Sequence, residues 1–355
     1  MARIASIATA NPRHRIDREQ AHAILKRCAE HLGMKLRPLS RILDNTQIES
    51  RYTVRSWEEI DAPMPFGERN NLYMQQCLEL GERVAREAVL RAGLTPGDID
   101  SVISVSCTGL MIPALDAYLL NRMGLSANIR RTPITELGCV AGAVGLARAW
   151  EELQVYPASN VLLLAVELPS LTFQPDDPRL MQLISSMIFT DGAAAVVLRK
   201  GNGNGSGRPS PRLLGRRMYT MPDTIQDMGY DLASDGLHIV LSSSVPYLIK
   251  RTLGAQLDAL LDAHGLARSD LKWFAMHPAG PKVLELVAEE LGLTREQLAA
   301  SWKVLERYGN MSSAAVLFVL AEMLENPPAR AGDPGIIVAF GPGVTGELVL
   351  ARWED

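Results

Sequence analysis

The chain has 355 residues, enough for one large domain or two fused ones, with 47% hydrophobic residues, 21% charged residues and a formal net charge of −4. This composition is typical of a globular protein, and neither the charge nor any basic run favours nucleic-acid binding. The apolar runs are shorter than the roughly 20 residues that a membrane-spanning helix needs. Four cysteines without a CxxC pair or zinc-ligand spacing predict neither a disulfide framework nor a metal site, and they favour a reducing cytoplasm.

Strands and helices are predicted to alternate along both halves of the chain. In the first half, apolar runs predict strands near the N-terminus and at 99–107, 131–136, 161–167 and 193–198, and helices at about 113–123 and 139–153. In the second half, we predict helices at 242–264, 282–291 and 312–324, and strands at 273–276, 336–340 and 348–352. Apolar strands separated by helices are typical of a sheet buried on both faces. The Gly- and Pro-rich segment 201–212 predicts a flexible linker between two halves of an internally duplicated α/β fold.

A turn built from small residues carries Cys139, in the run Gly138-Cys139-Val140-Ala141-Gly142-Ala143. Small side chains there let a substrate or another backbone approach closely. A cysteine at a helix N-terminus faces the positive end of the helix dipole, which favours the thiolate and lowers the thiol pKa. The turn therefore favours a nucleophile, although a buried structural thiol is the common alternative.

Two further turns carry an imidazole and a carboxamide. His277 follows a short apolar strand and precedes Pro278-Ala279-Gly280-Pro281, so it lies at a strand's carboxyl end, where α/β ligand sites form; a structural histidine is the alternative. Asn310 precedes a helix, where it either caps that helix or donates a hydrogen bond to a developing enolate oxygen. A thiol, an imidazole and an amide suit thioester chemistry, so we expect the three turns to meet in one pocket.

Motifs spread along the whole chain carry a resemblance to a known family. They are Ala10-Asn11-Pro12, 137–142, Leu171-Thr172-Phe173, 189–195, 277–281, 308–314 and 341–345. In this order they resemble the type III polyketide synthases, the chalcone-synthase-like branch of the thiolase superfamily. The resemblance implies a duplicated thiolase-like α/β fold layered αβαβα, with Cys139 in a half spanning 1–200, and His277 and Asn310 in a half spanning 213–355. It also implies a homodimer in which the segment 111–113 reaches toward the partner's cavity.

The resemblance further implies a mechanism. Cys139 thiolate, paired with His277 imidazolium, takes an acyl group from a starter coenzyme A thioester. His277 and Asn310 then stabilise the enolate that forms when malonyl-CoA loses carbon dioxide, and this carbanion attacks the Cys139 thioester. Acyl-CoA and malonyl-CoA are substrates here, and no metal or prosthetic cofactor is implied.

Residues around the reacting groups are implied in the same way. Phe189 gates the passage between coenzyme A tunnel and cavity, unless it is a plain core aromatic. Ile239 replaces the second gating aromatic of the plant enzymes, which leaves the cavity open to longer chains. Gly341, Pro342 and Gly343 form a tight loop whose backbone N–H groups are candidates to bind the acyl oxyanion. Further candidate wall residues are Cys107, Thr108, Thr172, Ser185, Ser186 and Ser312.

Coenzyme A contacts are the least defined part of the site. The basic residues with which the family binds this group are mostly missing from 44–52, where Arg51 is the one cation. Lys282, just after the His277 turn, is a second candidate phosphate contact, unless it is a solvated lysine at a helix start. We assign both residues to coenzyme A as a prediction.

The sequence thus predicts a cytoplasmic type III polyketide synthase that extends an acyl-CoA starter with malonyl-CoA. Residues 168–174 and Ile239 favour a fatty acyl starter and alkylpyrone or alkylresorcinol products. A ketoacyl synthase III that stops after one condensation uses the same three residue types, and the motifs at Asn310 and Gly341 favour the iterative branch over it. The alternative from another class is a non-catalytic acyl-binding protein on the same scaffold.

Overall fold

The computed structural model describes residues 2–201 and 209–354. The strands are β1 (Ala2–Ala10), β2 (His14–Asp17), β3 (Ser50–Thr53), β4 (Ser101–Val105), β5 (Arg130–Ile134), β6 (Asn160–Glu167), β7 (Gly192–Lys200), β8 (Ser210–Thr220), β9 (Met228–Ala233), β10 (Gly236–Leu241), β11 (Trp273–Met276), β12 (Pro334–Gly341) and β13 (Thr345–Glu354). The helices are α1 (Arg18–His31), α2 (Leu36–Asn45), α3 (Phe66–Arg91), α4 (Leu115–Met123), α5 (Ala141–Val155), α6 (Leu180–Ile188), α7 (Val245–Asp262), α8 (Pro281–Leu291), α9 (Ala299–Tyr308) and α10 (Ala315–Glu325).

The strand order of the main sheet shows the internal duplication. Among the described residues it has nine strands in the order β11-β12-β13-β8-β1-β7-β6-β4-β5. In the first half β4 pairs parallel with β6, β6 antiparallel with β7, and β7 antiparallel with β1. In the second half β11, β12, β13 and β8 follow each other with the same directions. Within the sheet, the described strands of the two halves pair where Arg3 of β1 lies opposite Arg212 of β8.

Buried side chains on alternate faces of the strands produce the layers. Along β6, Leu162 and Leu164 pack with the outer helix α3, whereas Leu163 and Ala165 pack with the central helices α5 and α10. On the other side, α7 and α8 cover the second half's strands. Because successive strand residues point to opposite faces, an unbroken apolar strand fits only a sheet covered on both sides. The predicted αβαβα layering is confirmed.

Several helix and strand boundaries differ from those predicted from the sequence. Residues 210–212 of the predicted linker belong to β8, because they pair with β13, and residues 202–208 lie outside the described residues. The helix predicted from Cys139 starts as a 3₁₀ turn at Gly138–Val140, and the one predicted from Ser312 starts as a 3₁₀ turn at Ser312–Ala314. Within the described ranges, no helix is both long and apolar enough to cross a membrane. The division into halves at 1–200 and 213–355 stays a prediction, since the sheet is continuous through both.

Candidate active site

The three predicted turns meet at one cavity, which we call the main cavity. Cys139, His277 and Asn310 line it together with residues of β9 and β10 and the start of α8. The Cys139 turn lies between β5 and α5, His277 follows β11, and Asn310 precedes α10. Each half contributes one pair of parallel strands whose carboxyl ends point to this cavity: β4 and β6 in the first half, and β11 and β12 in the second. Residues that are far apart in sequence therefore become neighbours there.

Close backbone packing holds Cys139 in place. Gly138 has a φ of 57°, and a Cβ there would lie 2.5 Å from Pro342 Cδ, so only glycine fits this position. Cys139 Sγ donates to Ser312 Oγ at 3.4 Å. Burial raises the pKa of the Cys139 thiol to about 12. This direction is opposite to the predicted lowering of the thiol pKa, because loss of hydration disfavours the charged thiolate.

His277 is buried at the end of β11, where its backbone N–H donates to Val338 O at 2.8 Å. Both ring nitrogens lack a hydrogen-bond partner among the residues the structure describes. Burial lowers the pKa of His277 to about 3, so the ring is neutral at physiological pH. The described state therefore pairs a neutral thiol with a neutral imidazole, where a thiolate–imidazolium pair was expected. Transfer of one proton from Cys139 to His277 would interconvert the two states.

Asn310 is held with its amide in one orientation. Its Oδ1 accepts from the Ser312 backbone N–H at 2.9 Å, and its Nδ2 donates to Ala279 O at 3.2 Å, in the loop after His277. A carboxamide nitrogen has two N–H groups, so a second one remains to bind a substrate oxygen. Ser312 has a φ of 49°, a strained value for a residue with a side chain, as is common at functional sites.

Sequence reasoning missed a buried carboxyl behind this site. Glu167, the last residue of β6, accepts hydrogen bonds from the Cys107 backbone N–H at 3.1 Å, Thr108 Oγ1 at 2.9 Å and Ser313 Oγ. Burial raises the pKa of Glu167, and these donors oppose the shift. The available signal was a single acidic residue at the end of an otherwise apolar strand. Glu167 ties the turn after β4 to the turn before α10.

The predicted wall residues divide between two cavities. Cys107, Phe189, Ile239, Ser312 and Pro342 line the main cavity. A second cavity, which we call the side cavity, lies between α1, α2, α6 and β3, and Thr172, Ser185 and Ser186 line it. Phe189, Tyr230 and Ile239 line both cavities and so form a shared wall. Tyr230 was not among the predicted residues.

Two of the predicted wall assignments need correction. Thr108 is buried with its hydroxyl on Glu167, so it faces away from the main cavity. In the loop of Gly341, Pro342 and Gly343, two of the three positions offer no free oxyanion donor. Proline has no N–H, and the Gly343 N–H donates to Met228 O at 3.0 Å. Gly341 permits close packing, because a Cβ there would lie 2.6 Å from Leu137 O beside the Cys139 turn.

The two predicted coenzyme A contacts lie in different environments. Lys282 is exposed at the main cavity, with its Nζ 5.8 Å from the centre of the Tyr247 ring. Arg51 is only 3% exposed and lines the side cavity, where its Nε donates to Met187 O at 2.8 Å. Burial lowers the pKa of Arg51 to about 10, which still leaves it cationic at pH 7. This burial is at odds with a contact to a solvated phosphate, so Arg51 is removed from the coenzyme A set.

Comparison with known proteins assigns the family. The N-terminal domain of the chalcone and stilbene synthases matches residues 1–202, and the C-terminal domain matches residues 216–353. The chain therefore belongs to the chalcone and stilbene synthase family. Its relatives identify it further as a type III polyketide synthase, an acyltransferase that forms carbon–carbon bonds.

Relatives of known name match nearly the whole chain. The 1,3,6,8-tetrahydroxynaphthalene synthase of Streptomyces peucetius subsp. caesius is 35% identical over 350 residues, which are 99% of this chain and 93% of that protein. The phloroglucinol synthase of Pseudomonas fluorescens is 32% identical over 96% of each chain. The crystal structure of 1,3,6,8-tetrahydroxynaphthalene synthase from Streptomyces coelicolor A3(2), a bacterial type III polyketide synthase, superposes with a TM-score of 0.94 at 32% identity over 99% of both chains.

Proposed function

We propose that this enzyme extends a fatty acyl-CoA starter by repeated decarboxylative condensation with malonyl-CoA, giving alkylpyrone or alkylresorcinol products. The observation that carries the proposal is the side cavity, which adjoins the main cavity at the wall formed by Phe189, Tyr230 and Ile239. Most of its lining is apolar, including Ile16, Ile24, Leu25, Leu43, Leu183 and Met187. The side cavity has a volume of about 70 Å³ and the main cavity about 310 Å³. An acyl chain bound to Cys139 that passes this wall would therefore bury only its last few methylene groups in the side cavity, each contributing about 0.8 kcal/mol.

In this scheme each of the three central residues has a separate task. Neutral His277 accepts the Cys139 proton as the thiol attacks the starter thioester, so the thiolate exists only in the presence of substrate. The bond between the acyl carbon and the coenzyme A sulfur breaks, and coenzyme A leaves as a thiolate that takes a proton from solvent, so His277 stays an imidazolium. Asn310 Nδ2 and this imidazolium then donate hydrogen bonds to the enolate oxygen that forms as malonyl-CoA loses carbon dioxide. The carbanion attacks the Cys139 thioester and the acyl–sulfur bond breaks, which frees the Cys139 thiolate and leaves the lengthened chain on coenzyme A; no metal or prosthetic group is required.

The outer part of the site suggests how substrates and a second subunit bind. Lys282, exposed at the mouth of the main cavity, is the cation we assign to a coenzyme A phosphate. Ile112 is 94% exposed, beside the half-exposed Leu110, which fits a segment covered by a partner in a homodimer. Soluble coenzyme A thioesters as substrates, and four free cysteines, fit the proposed cytoplasmic location.

Product masses test the proposed reaction. The enzyme is incubated with malonyl-CoA and a series of saturated acyl-CoA starters, and the malonyl-derived units in each product are counted by mass spectrometry. We expect products with two or more units and a preference for long starters. Products that all contain a single unit would assign the chain to one-round ketoacyl synthesis, and malonyl-CoA that releases no carbon dioxide would indicate a non-catalytic acyl-binding protein.

The shared wall allows a sharper test of the starter. Ile239→Phe should reduce turnover of long starters relative to short ones by roughly tenfold or more, because forcing extra atoms into a filled passage costs about 1–3 kcal/mol. Ile239→Leu, which conserves volume, is the matched control and should keep the wild-type ratio. Equal losses for long and short starters in Ile239→Phe would argue against passage of the chain at this wall.

A further inference from the structure

The side cavity contains three polar groups that the proposed fatty acyl chain does not explain. Arg51 Nη1, Gln182 Nε2 and Ser185 Oγ are buried and have no hydrogen-bond partner in the described part of the chain. Their residues are only 3%, 3% and 6% exposed, and all three line the side cavity. Buried polar groups in proteins are nearly always hydrogen-bonded. Three exceptions around one cavity therefore point to a ligand that satisfies them.

Arg51 defines the charge of that ligand. Its other nitrogens donate to two neutral oxygens, Met187 O and Thr46 Oγ1. Among the residues that the structure describes, the charged group that acts on Arg51 is Arg18, which is also a cation. Burying a guanidinium without a carboxylate partner costs free energy of folding, and a bound carboxylate would remove much of that cost.

The other two groups belong to one surface of α6. Gln182 and Ser185 are three residues apart, so they lie on the same face of the helix. Arg51 is in β3, and its bonds to Met187 O tie that strand to the same helix. A carboxylate has two oxygens that can each accept more than one hydrogen bond. The amide, the hydroxyl and the guanidinium are together a set of donors for one such group.

We propose that the side cavity binds a carboxylate at the far end of the acyl chain whose thioester carbon is attached to Cys139. The proposal rests on the proposed function and specifies its starter: the mono-coenzyme A thioester of a long-chain dicarboxylic acid. The main cavity holds most of the methylene groups, the apolar lining of the side cavity holds the last few, and Arg51, Gln182 and Ser185 bind the terminal carboxylate. A methyl-terminated chain of equal length would bury the same three groups with no partner.

Paired starters test the proposal. Wild-type enzyme is given ω-carboxyacyl-CoA and methyl-terminated acyl-CoA of matched length, and the Cys139 adduct and the extended products are quantified by mass spectrometry. At the best length, kcat/KM should favour the carboxylate by roughly ten- to a hundredfold, as expected for a charge-assisted hydrogen bond in place of none. Equal or better use of the methyl-terminated starter at every length would overturn the proposal and leave the proposed function standing. Absence of product from both starters would count against both.

Variants then assign the preference to the three groups. Gln182→Leu and Ser185→Ala should each lower the ratio of the two kcat/KM values by about two- to tenfold, the size of one neutral hydrogen bond. Ser186→Ala is the matched control: Ser186 lines the same cavity, but its Oγ already donates to Leu183 O at 2.7 Å, so the ratio should not change.

Arg51→Met should abolish the preference for the carboxylate. Because Arg51 also binds Met187 O, the thermal unfolding of this variant is measured alongside. If Arg51→Met does not fold, the kcat/KM ratios of Gln182→Leu and Ser185→Ala test the proposal instead. A wild-type ratio in both of those variants would refute the assignment.

Discussion

At the scale of single residues, Ser312 connects the two thiols of the site with the Asn310 amide. Its hydroxyl accepts from Cys139 Sγ at 3.4 Å and lies 3.7 Å from Cys107 Sγ, and its backbone N–H holds the Asn310 amide. Two thiols therefore share one hydroxyl, but only Cys139 lies at the start of a helix beside His277 and Asn310 in the main cavity. This difference in position makes the nucleophile assignment testable against an internal control.

Removal of the proposed nucleophile should prevent covalent loading. After incubation with an acyl-CoA starter, intact-protein mass spectrometry should show one acyl adduct on the wild type and none on Cys139→Ala, because a methyl group cannot attack a thioester. Cys107→Ala is the matched control and should keep the adduct. If instead Cys139→Ala keeps the adduct and Cys107→Ala loses it, the nucleophile is Cys107.

The pH dependence of Cys139 alkylation reports its resting charge. With the pKa of the thiol raised to about 12 by burial, the thiolate fraction should grow about tenfold per pH unit from pH 7 to 10 without a plateau. The measurement is the rate of iodoacetamide labelling of the Cys139 peptide by mass spectrometry. A rate that is independent of pH across this range would instead indicate a thiolate already paired with His277 imidazolium.

At the scale of elements, the hairpin of β9 and β10 forms the wall between the two cavities, and an ionic cluster holds it. His238 of β10 has Nδ1 2.8 Å from Asp177 Oδ2 and Nε2 2.8 Å from Asp235 Oδ1. Only imidazolium donates from both nitrogens. Arg179 also contacts Asp177, and Arg69 donates to the backbone oxygen of Asp235. Ile239, which forms part of the shared wall, directly follows His238 in β10. The contacts of His238 therefore position this part of the wall.

The His238 contact should weaken as pH rises. Burial lowers the pKa of His238, but its hydrogen bonds to the carboxylates of Asp235 and Asp177 raise it by more, and the net pKa lies above its ordinary value near 6.5. The imidazolium therefore contributes its full stability below about pH 6.5 and loses it as pH rises through the folded-state pKa. We expect His238→Gln to lower the free energy of unfolding by about 1 kcal/mol at pH 6, and by less at pH 9.

Urea denaturation of both proteins at the two pH values measures this difference. A cost that is the same at pH 6 and pH 9 would mean that His238 acts by packing alone. Asp177 and Asp235 stay ionised at both pH values in either protein, because the ordinary pKa of an aspartate lies near 3.8, so the comparison isolates the titration of His238.

At the scale of the whole molecule, the two halves meet at the starts of the central helices. A Cβ at Gly142 of α5 would lie 2.0 Å from Ser313 O, in the turn before α10. These turns carry Cys139 and Asn310, so the separation of these two proposed catalytic residues depends on this close backbone approach. The obstacle is a backbone oxygen in the core of the protein, which cannot move aside as a flexible side chain can.

Gly142→Ala should therefore destabilise the protein by about 1–3 kcal/mol and reduce its activity, because the added methyl group separates the two turns. Urea denaturation and product formation measure the two effects. Gly67→Ala is the matched control: Gly67 also lies in a helix, α3, and a Cβ there would meet nothing within 4 Å. It should leave stability unchanged or raise it slightly. A similar loss in both variants would contradict the packing argument.

Most strands of the main sheet could be predicted from the sequence, because local patterns of apolar residues define them. β11 was predicted with its bounds as observed, and β6 and α8 to within one residue, since each is an apolar run or an amphipathic segment bounded by Pro or Gly. The helices α1, α2, α3, α6 and α9 and the strands β2, β3, β8, β9 and β10 were not predicted. Glu167, Tyr230 and Gln182 were missed because their importance depends on neighbours from other elements.

By itself, the sequence determined the fold class, the family and the three side chains expected at the site, because strand periodicity and short motifs are properties of contiguous residues. Only the tertiary structure decided that burial leaves Cys139 and His277 neutral, that Thr108 faces Glu167, and that Arg51 lies inside a cavity. The physical reason is that pKa, access to solvent and hydrogen-bond satisfaction are set by atoms brought together from distant parts of the chain.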